Sequence, residues 1–338
     1  MRGYFLDNNI AHRNRATAIT ASLYKGLTQC MLIDLTLLPH PIRENIPRQQ
    51  GWCFGLPPGI TPEQWPLDPN NGFPLNHGFT LLLPEDYRIY GPEIVALSFF
   101  AVAPEHNDGG TPCTEEILDV FESFESCTPP EDPDLYVFWL AEKQRHPRLF
   151  RMEDILGCSY AVILLTQQEF NGPFCEPPEL IPNHYRNQQD TPEWMTTGSA
   201  FSYFQASVRP KDTPESNFVY RKMGTIPEQS LAFNLAISCK PRAFDPNAGI
   251  SPTERNNTEY QSIRYFSKDA EGKSKCETHQ WHSAHQPDHL GGSMVPFQSI
   301  PDGMSPFYIE FEEYFGGYNF GTGNAWLDFK NMKFDFSC

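Results

Sequence analysis

Between Arg88 and Lys143 the chain contains no lysine or arginine, yet it contains twelve acidic residues, from Glu93 to Glu142. Phosphate-bearing partners are held by Lys and Arg, so this stretch is unsuited to nucleic acid or to an anionic membrane surface. The deficit is regional. Residues 51–150 hold sixteen acids against four bases, a net −12, whereas residues 1–50 hold three acids against six bases. The whole chain, with 42 acids and 25 bases, carries a formal −17. A field of that sign repels polyanions and steers basic partners inward.

The nine cysteines include no CxxC pair and no repeated spacing, and their number is odd. Reduced thiols of a cytoplasmic protein fit that pattern better than a disulfide framework. Apolar runs are short, and Lys25 interrupts the one near the start, so neither a signal peptide nor a membrane span is expected. No Gly-x-Ser-x-Gly turn occurs. Gly316–Asn324 is glycine-rich but lacks the Lys-Ser/Thr of a phosphate loop, and it reads as hairpin turns and bulges. No catalytic constellation stands out, and no cofactor is expected. Cys276, His279, His282, His285 and His289 form the one cluster with metal-ligand chemistry. Structural zinc sites combine two tight pairs across a longer loop, whereas here the residues recur at a spacing of three or four. A metal-binding hydrolase using loop 279–289 is therefore the alternative reading of the chain, and a structural scaffold is a second alternative.

What the sequence does have is core-forming material. Hydrophobic residues make up 39% and aromatics 14%, so a packed body is expected rather than a disordered chain. The 32 prolines are spread along the chain and imply many ordered loops between short elements. Ala16–Gln29 reads as a helix and Met31–Leu38 as a strand, after which Pro39, Pro41 and Pro47 break the chain. Phe79–Leu83, Glu93–Val102, Leu135–Leu140 and Tyr160–Leu165 read as strands, with one short helix at Arg151–Leu156. Leu231–Ser238 and Phe307–Phe311 alternate with period two, and Ala325–Phe329 with Lys333–Phe336 reads as a closing hairpin turning at Lys330–Met332. These elements predict an α+β, β-rich fold of about a dozen short, mostly antiparallel strands with a few helices. Residues 1–338 should form one compact body, with possible halves 1–172 and 183–338 on either side of a Pro-rich loop, 173–182. An echo of Gly/Pro loop, turn and aromatic strand, at 51–83 and again at 291–311, raises internal duplication.

The run Gly55-Leu56-Pro57, Trp65-Pro66, Gly72-x-Pro74-Leu75 and Phe79 resembles the front motif of the YwqG-like family of bacterial proteins. The run His289-Leu-Gly-Gly292, Gln298, Phe307, Gly316-Gly317 and Gly321-x-Gly323, with the ending Phe336-Ser337-Cys338, resembles its C-terminal motif. The matched segments, about 51–102 and 289–338, cover under a third of the chain. The resemblance implies a β-rich α+β fold, no established catalytic activity and, for members encoded near polymorphic toxins, an immunity role.

The acidic stretch supplies a surface for such a role. Thr114–Ser126 reads as an amphipathic helix, with Thr114 able to cap the first turn. Ile117, Leu118, Phe121 and Phe124 form its anchoring side, and Glu115, Glu116, Asp119, Glu122 and Glu125 form the other. Asp132 and Asp134 would stand at the margin. The expectation is a cytoplasmic immunity protein that uses these seven carboxylates to block a cognate toxin. A basic nuclease is the partner expected, with no nucleic acid and no membrane.

Overall fold

A computed structural model describes residues 32–42, 44–45, 49–106, 112–125, 128–186, 190–197, 234–253, 259–321 and 323–338. The strands are β1 (Ile33–Ile42), β2 (Gly51–Cys53), β3 (Asn76–Leu82), β4 (Ile94–Ala101), β5 (Leu149–Glu153), β6 (Ser159–Thr166) and β7 (Asn234–Pro241). They continue with β8 (Arg264–Lys268), β9 (Ser274–Thr278), β10 (His289–Leu290), β11 (Tyr308–Glu312), β12 (Asn324–Asp328) and β13 (Lys333–Ser337). The α-helices among the described residues are α1 (Glu115–Glu122), α2 (Pro133–Gln144), α3 (Gln167–Phe170) and α4 (Glu193–Thr197). The fold is α+β and dominated by β-structure.

Eleven strands make one sheet in the order β13-β12-β11-β10-β1-β7-β2-β3-β4-β6-β5, and β8 and β9 form a separate hairpin. The pairings are antiparallel throughout. Strands from before and after residues 173–182 alternate in this sheet: β1 lies between β10 and β7, and β7 lies between β1 and β2. The Pro-rich loop itself packs back on the chain, with Gly59 N donating to Pro173 O (3.1 Å) and Cys175 N to Pro57 O (2.9 Å). The first stretch of the sequence echo holds β2 and β3, and the second follows β10 and ends in β11. Each short strand (β2 or β10) pairs with the next strand (β3 or β11) across a long glycine-containing loop.

The sheet curls until its edge strands β5 and β13 meet. The curl lets strands far apart in sheet order share one aromatic core. Phe99 on β4 stacks on Phe79 of β3 (5.2 Å), on Tyr160 of β6 (6.0 Å) and on Phe334 of β13 (5.6 Å). It also meets Phe311 of β11 edge-on at 5.5 Å. Offset and edge-to-face pairs add to the area that each ring removes from water. Phe79, Phe99, Phe311 and Tyr160 are all at most 1% exposed.

Three sequence expectations are corrected. Leu135–Leu140 is not a strand but the middle of α2. Asp132 caps that helix by accepting from Asp134 N (2.8 Å), and Pro133 occupies its first turn. An Asp-Pro start is a helix signal, and it outweighs an apolar run short enough for either structure. Arg151–Leu156 is not a helix. Its first part belongs to β5, and Asp154 then turns the chain by accepting from Leu156 N (2.8 Å) and Cys158 N (3.0 Å). Pro39 and Pro41 do not end the first strand; β1 runs through them, with a register shift against β7 between Leu37 and Pro41. Ala16–Gln29 and residues 231–233 lie outside the described residues.

Candidate functional site

The acidic surface is organised by two packed helices. Helix α1 starts after Thr114, whose backbone carbonyl accepts from Ile117 N (3.0 Å) and Leu118 N (3.1 Å). The Thr114 side chain makes no capping bond, contrary to expectation. Thr114 is buried, and its own N–H donates to Asn70 O (2.7 Å), which fastens the start of the helix to the body. The α1 anchors also differ from those expected. Ile117 and Val120 are buried, whereas Leu118, Phe121 and Phe124 are only half-buried. Ile117 and Val120 form a small core with Leu67 and with Phe138 of α2. Phe121 leans on Phe138 at 6.4 Å, and Phe124 on Trp139 at 5.5 Å. Gly72 makes room for this arrangement: at φ +72° its missing Cβ would lie 2.2 Å from the Phe138 ring.

The outward carboxylates fall where helical periodicity put them. Glu115, Glu116, Asp119 and Glu122 are exposed on α1, and Glu125 is exposed just beyond it. Among the described residues only Glu125 has a cationic partner, Arg145 at 3.5 Å. Asp132 and Asp134 are placed differently. Asp132 accepts from the Tyr185 hydroxyl (2.8 Å) as well as capping α2. The Tyr185 bond first, and the Asp134 N–H next, hold its pKa below the usual carboxylate range. Asp134 accepts from His184 N (2.9 Å), and its carbonyl accepts from Asn183 Nδ2 (2.7 Å). These two residues clamp the 183–185 segment to α2, so the α1 carboxylates and Glu125 are the ones left facing solvent.

A cleft of about 450 Å³ opens beside this surface, between Leu118, Phe121 and Glu122 on one side and Arg145, Arg151 and Glu153 on the other. Three acids, Glu122, Glu142 and Glu153, face two bases, Arg145 and Arg151. Glu142, 3% exposed, pairs with Arg145 and with Arg151 (2.7 Å), and Arg151 lies over the Phe121 ring at 5.3 Å. Burial pushes the Arg151 pKa down, and Glu142 acts against that shift. The cations nearest to α1 are thus largely committed to a buried acid and leave Glu115, Glu116, Asp119 and Glu122 uncompensated.

The histidine-rich loop is not gathered around a common point. Among the described residues no three His, Cys, Asp or Glu side chains are placed to hold a metal ion. Cys276 is exposed on the β8–β9 hairpin, opposite Phe266. His279 stacks between Tyr265 (4.4 Å) and Trp281 (5.5 Å). His282 lies on the following 3₁₀ turn, Gln280–Ala284. His285 Nε2 is 3.2 Å from Phe244 O and its Nδ1 is 3.2 Å from Arg242 Nη1. A carbonyl only accepts and a guanidinium only donates, so the ring is neutral with its proton on Nε2. Burial first, and Arg242 second, push its pKa down to about 4. His289 is fully buried on β10, with Nδ1 2.9 Å from Gly291 O and Nε2 3.1 Å from Glu310. His282 and His285 lie ring to ring at 5.5 Å, and both pack against Trp281.

Sequence reasoning missed the residues that organise this end of the sheet: Asp34, Arg242 and Asp245. Arg242, 4% exposed, reaches Asp34 at 2.6 Å and Asp245 at 2.8 Å. Nothing in a single sequence joins positions 34 and 242. Comparisons with protein-family models, curated proteins and solved structures give no match. What is established is the fold, a β-dominated α+β protein. No helix among the described residues is long and apolar enough to cross a membrane.

Proposed function

We propose that this protein is a cytoplasmic immunity protein that binds and neutralises a bacterial toxin through the acidic face of α1, with a basic nuclease as the partner. The carrying observation is the set Glu115, Glu116, Asp119 and Glu122, exposed on one helix and without a cationic partner among the described residues. Ile117 and Val120 seat that helix in a core, so the carboxylates are presented at fixed positions rather than on a loose segment. A nuclease must be basic around its active site to hold phosphate, and a rigid acidic face complements it. The resemblance to the YwqG-like family supports the same reading. The hydrolase alternative draws no support from the histidine loop, where no three potential ligands converge among the described residues.

The test is charge reversal. Glu116→Lys, Asp119→Lys and Glu122→Lys together replace exposed side chains, so the fold should survive intact. Association with the cognate toxin should slow roughly ten- to a hundredfold at low salt, because steering of this kind raises on-rates by about 10–10³. The salt dependence of the rate should flatten as well. Stopped-flow measurements from about 50 to about 500 mM salt span the range over which screening changes. A triple variant that associates at the wild-type rate throughout would sink the proposal.

A further inference from the structure

On the side of α2 away from the acidic cleft lies a second depression, an apolar groove of about 300 Å³. Trp65, Leu67, Phe138, Leu140, Ile181 and Pro182 line it. Val137 and Ile181 are 41% and 66% exposed at its mouth, so the groove is open. Arg186 is the one cation among its lining residues, which also include Glu63, Asp134 and Glu179. Arg186 is 9% exposed and lines the groove. It has no carboxylate within ion-pair distance among the described residues, in contrast to Arg242, Arg148 and Arg151. Its ring neighbours are Phe73 (5.7 Å) and Phe138 (6.0 Å). Two of its N–H groups donate to backbone carbonyls, Nη1 to Gly72 O (3.4 Å) and Nη2 to Ile181 O (2.5 Å). A guanidinium has five such donors, so most of its fork has no acceptor among the described residues. Buried arginines are almost always paired with an acid.

We propose that this groove binds a small apolar monocarboxylate, such as a medium-chain fatty acid, with its carboxylate on Arg186 and its chain along Trp65, Leu67, Phe138 and Leu140. A planar fork with free donors matches a carboxylate, and the surrounding apolar surface matches a hydrocarbon tail. The volume stands at the lower end of ligand cavities, which limits the ligand to a short chain. Carboxylates at the rim narrow the choice further. Glu63 and Glu179 are exposed there, and Asp134 is already engaged by His184 N. They weaken the binding of any anion and more so of a doubly charged one, so dicarboxylates and phosphates should bind less well than a monocarboxylate. This site is separate from the acidic face of α1 and does not depend on the toxin reading.

Isothermal titration of the full chain with octanoate tests the proposal, with octanol and octylamine as controls. Octanoate should saturate one site, and octanol should bind roughly ten- to a hundredfold more weakly, the factor expected for a charge-assisted hydrogen-bonded pair. Octylamine should not bind there. Val137→Trp fills the groove from an exposed position and should abolish octanoate binding without changing the melting curve. Arg186→Met should bring octanoate to the level of octanol. Arg186 also holds two carbonyls, so that variant can fail to fold; Arg186→Lys keeps the charge and should retain the preference for octanoate over octanol. Equal binding of octanoate and octanol by the wild type would overturn the proposal, and so would undiminished octanoate binding by Val137→Trp.

Discussion

Acidification from pH 6.5 towards pH 4 should strip this protein of about 3 kcal/mol through His77 alone, a loss that starts above the carboxylate range. His77 is 1% exposed on β3. Its Nδ1 lies 3.1 Å from Phe54 O and therefore carries the proton, and its Nε2 lies 2.9 Å from Thr80 Oγ1. Thr80 Oγ1 is in turn 2.7 Å from Ser98 Oγ. Burial pushes the imidazole pKa from 6.5 down to about 3, against weaker opposition from the carbonyls around it. The unfolded chain takes up a proton near pH 6.5, and the folded chain does not until about pH 3. The unfolded state therefore binds more protons throughout that window. Stability is fully present above pH 6.5 and is lost as the pH falls towards 3. His285, pushed down to about 4, contributes with the same sign.

Glu169 marks where the carboxylates take over. Burial raises its pKa, but bonds from Thr166, Arg148 and His146 outweigh that and hold it at about 2, against an ordinary 4.5. Its contribution is present above pH 4.5 and is lost only as the pH falls towards 2. Urea titrations at stepped pH should thus show a decline that begins near 6.5, too high for carboxylates. His77→Gln should flatten that upper limb while lowering the plateau, because the replacement repacks a filled site. An upper limb of unchanged slope in His77→Gln would show that His77 is not its source.

The acidic face was legible in the sequence because helical periodicity alone sorts Glu115, Glu116, Asp119 and Glu122 from Ile117. It was less informative about depth. Val120, one turn from Ile117, is buried, and Phe124, at the frayed end, is not. That difference depends on where α2 crosses, which the sequence does not state. The strand set was legible for a similar reason: β3, β4, β6, β11, β12 and β13 are short apolar or alternating runs. Leu135–Leu140 was misread because a six-residue apolar run is ambiguous, although Asp132 and Pro133 before it were the deciding signal. The groove and the Arg242 cluster were not legible at all. The groove draws on residues around 62–67, 137–141 and 178–186. Arg242 meets a carboxylate 208 positions away. The groove joins a helix to two distant loops, and the Arg242 cluster follows from strand order 1-7-2; neither is written in any local pattern.

Arg242→Met should destabilise the protein by about 3–5 kcal/mol, the usual consequence of removing one partner from a buried ion pair. Arg242 follows β7 directly and holds Asp34 of β1 through Nε (2.8 Å) and Nη2 (2.6 Å). It also holds Asp245 (2.8 Å) and lies 3.2 Å from His285 Nδ1. Asp245, with its side chain wholly buried, also accepts from Asn247 N, Ser293 N and Ser293 Oγ at 2.7–3.0 Å. Burial raises the Asp245 pKa, but these bonds and Arg242 together keep it below its ordinary value. The methionine variant keeps the volume and the apolar stem, so its loss reports the charge rather than a cavity. Buried Asp245 and half-buried Asp34 are then left without their cation. The deficit should shrink as the pH falls, because Asp245 deprived of Arg242 can take up a proton in the folded state, whereas wild-type Asp245 resists doing so. Adding Asp245→Asn to Arg242→Met should recover part of the loss, giving a coupling of at least about 1 kcal/mol between the two sites. Urea melts of the single and double variants at neutral and acid pH measure all three quantities. A loss below about 1 kcal/mol for Arg242→Met, or strict additivity with Asp245→Asn, would mean that the hydrogen bonds from Asn247 and Ser293, not the ion pair, hold β1, β7 and the histidine loop together.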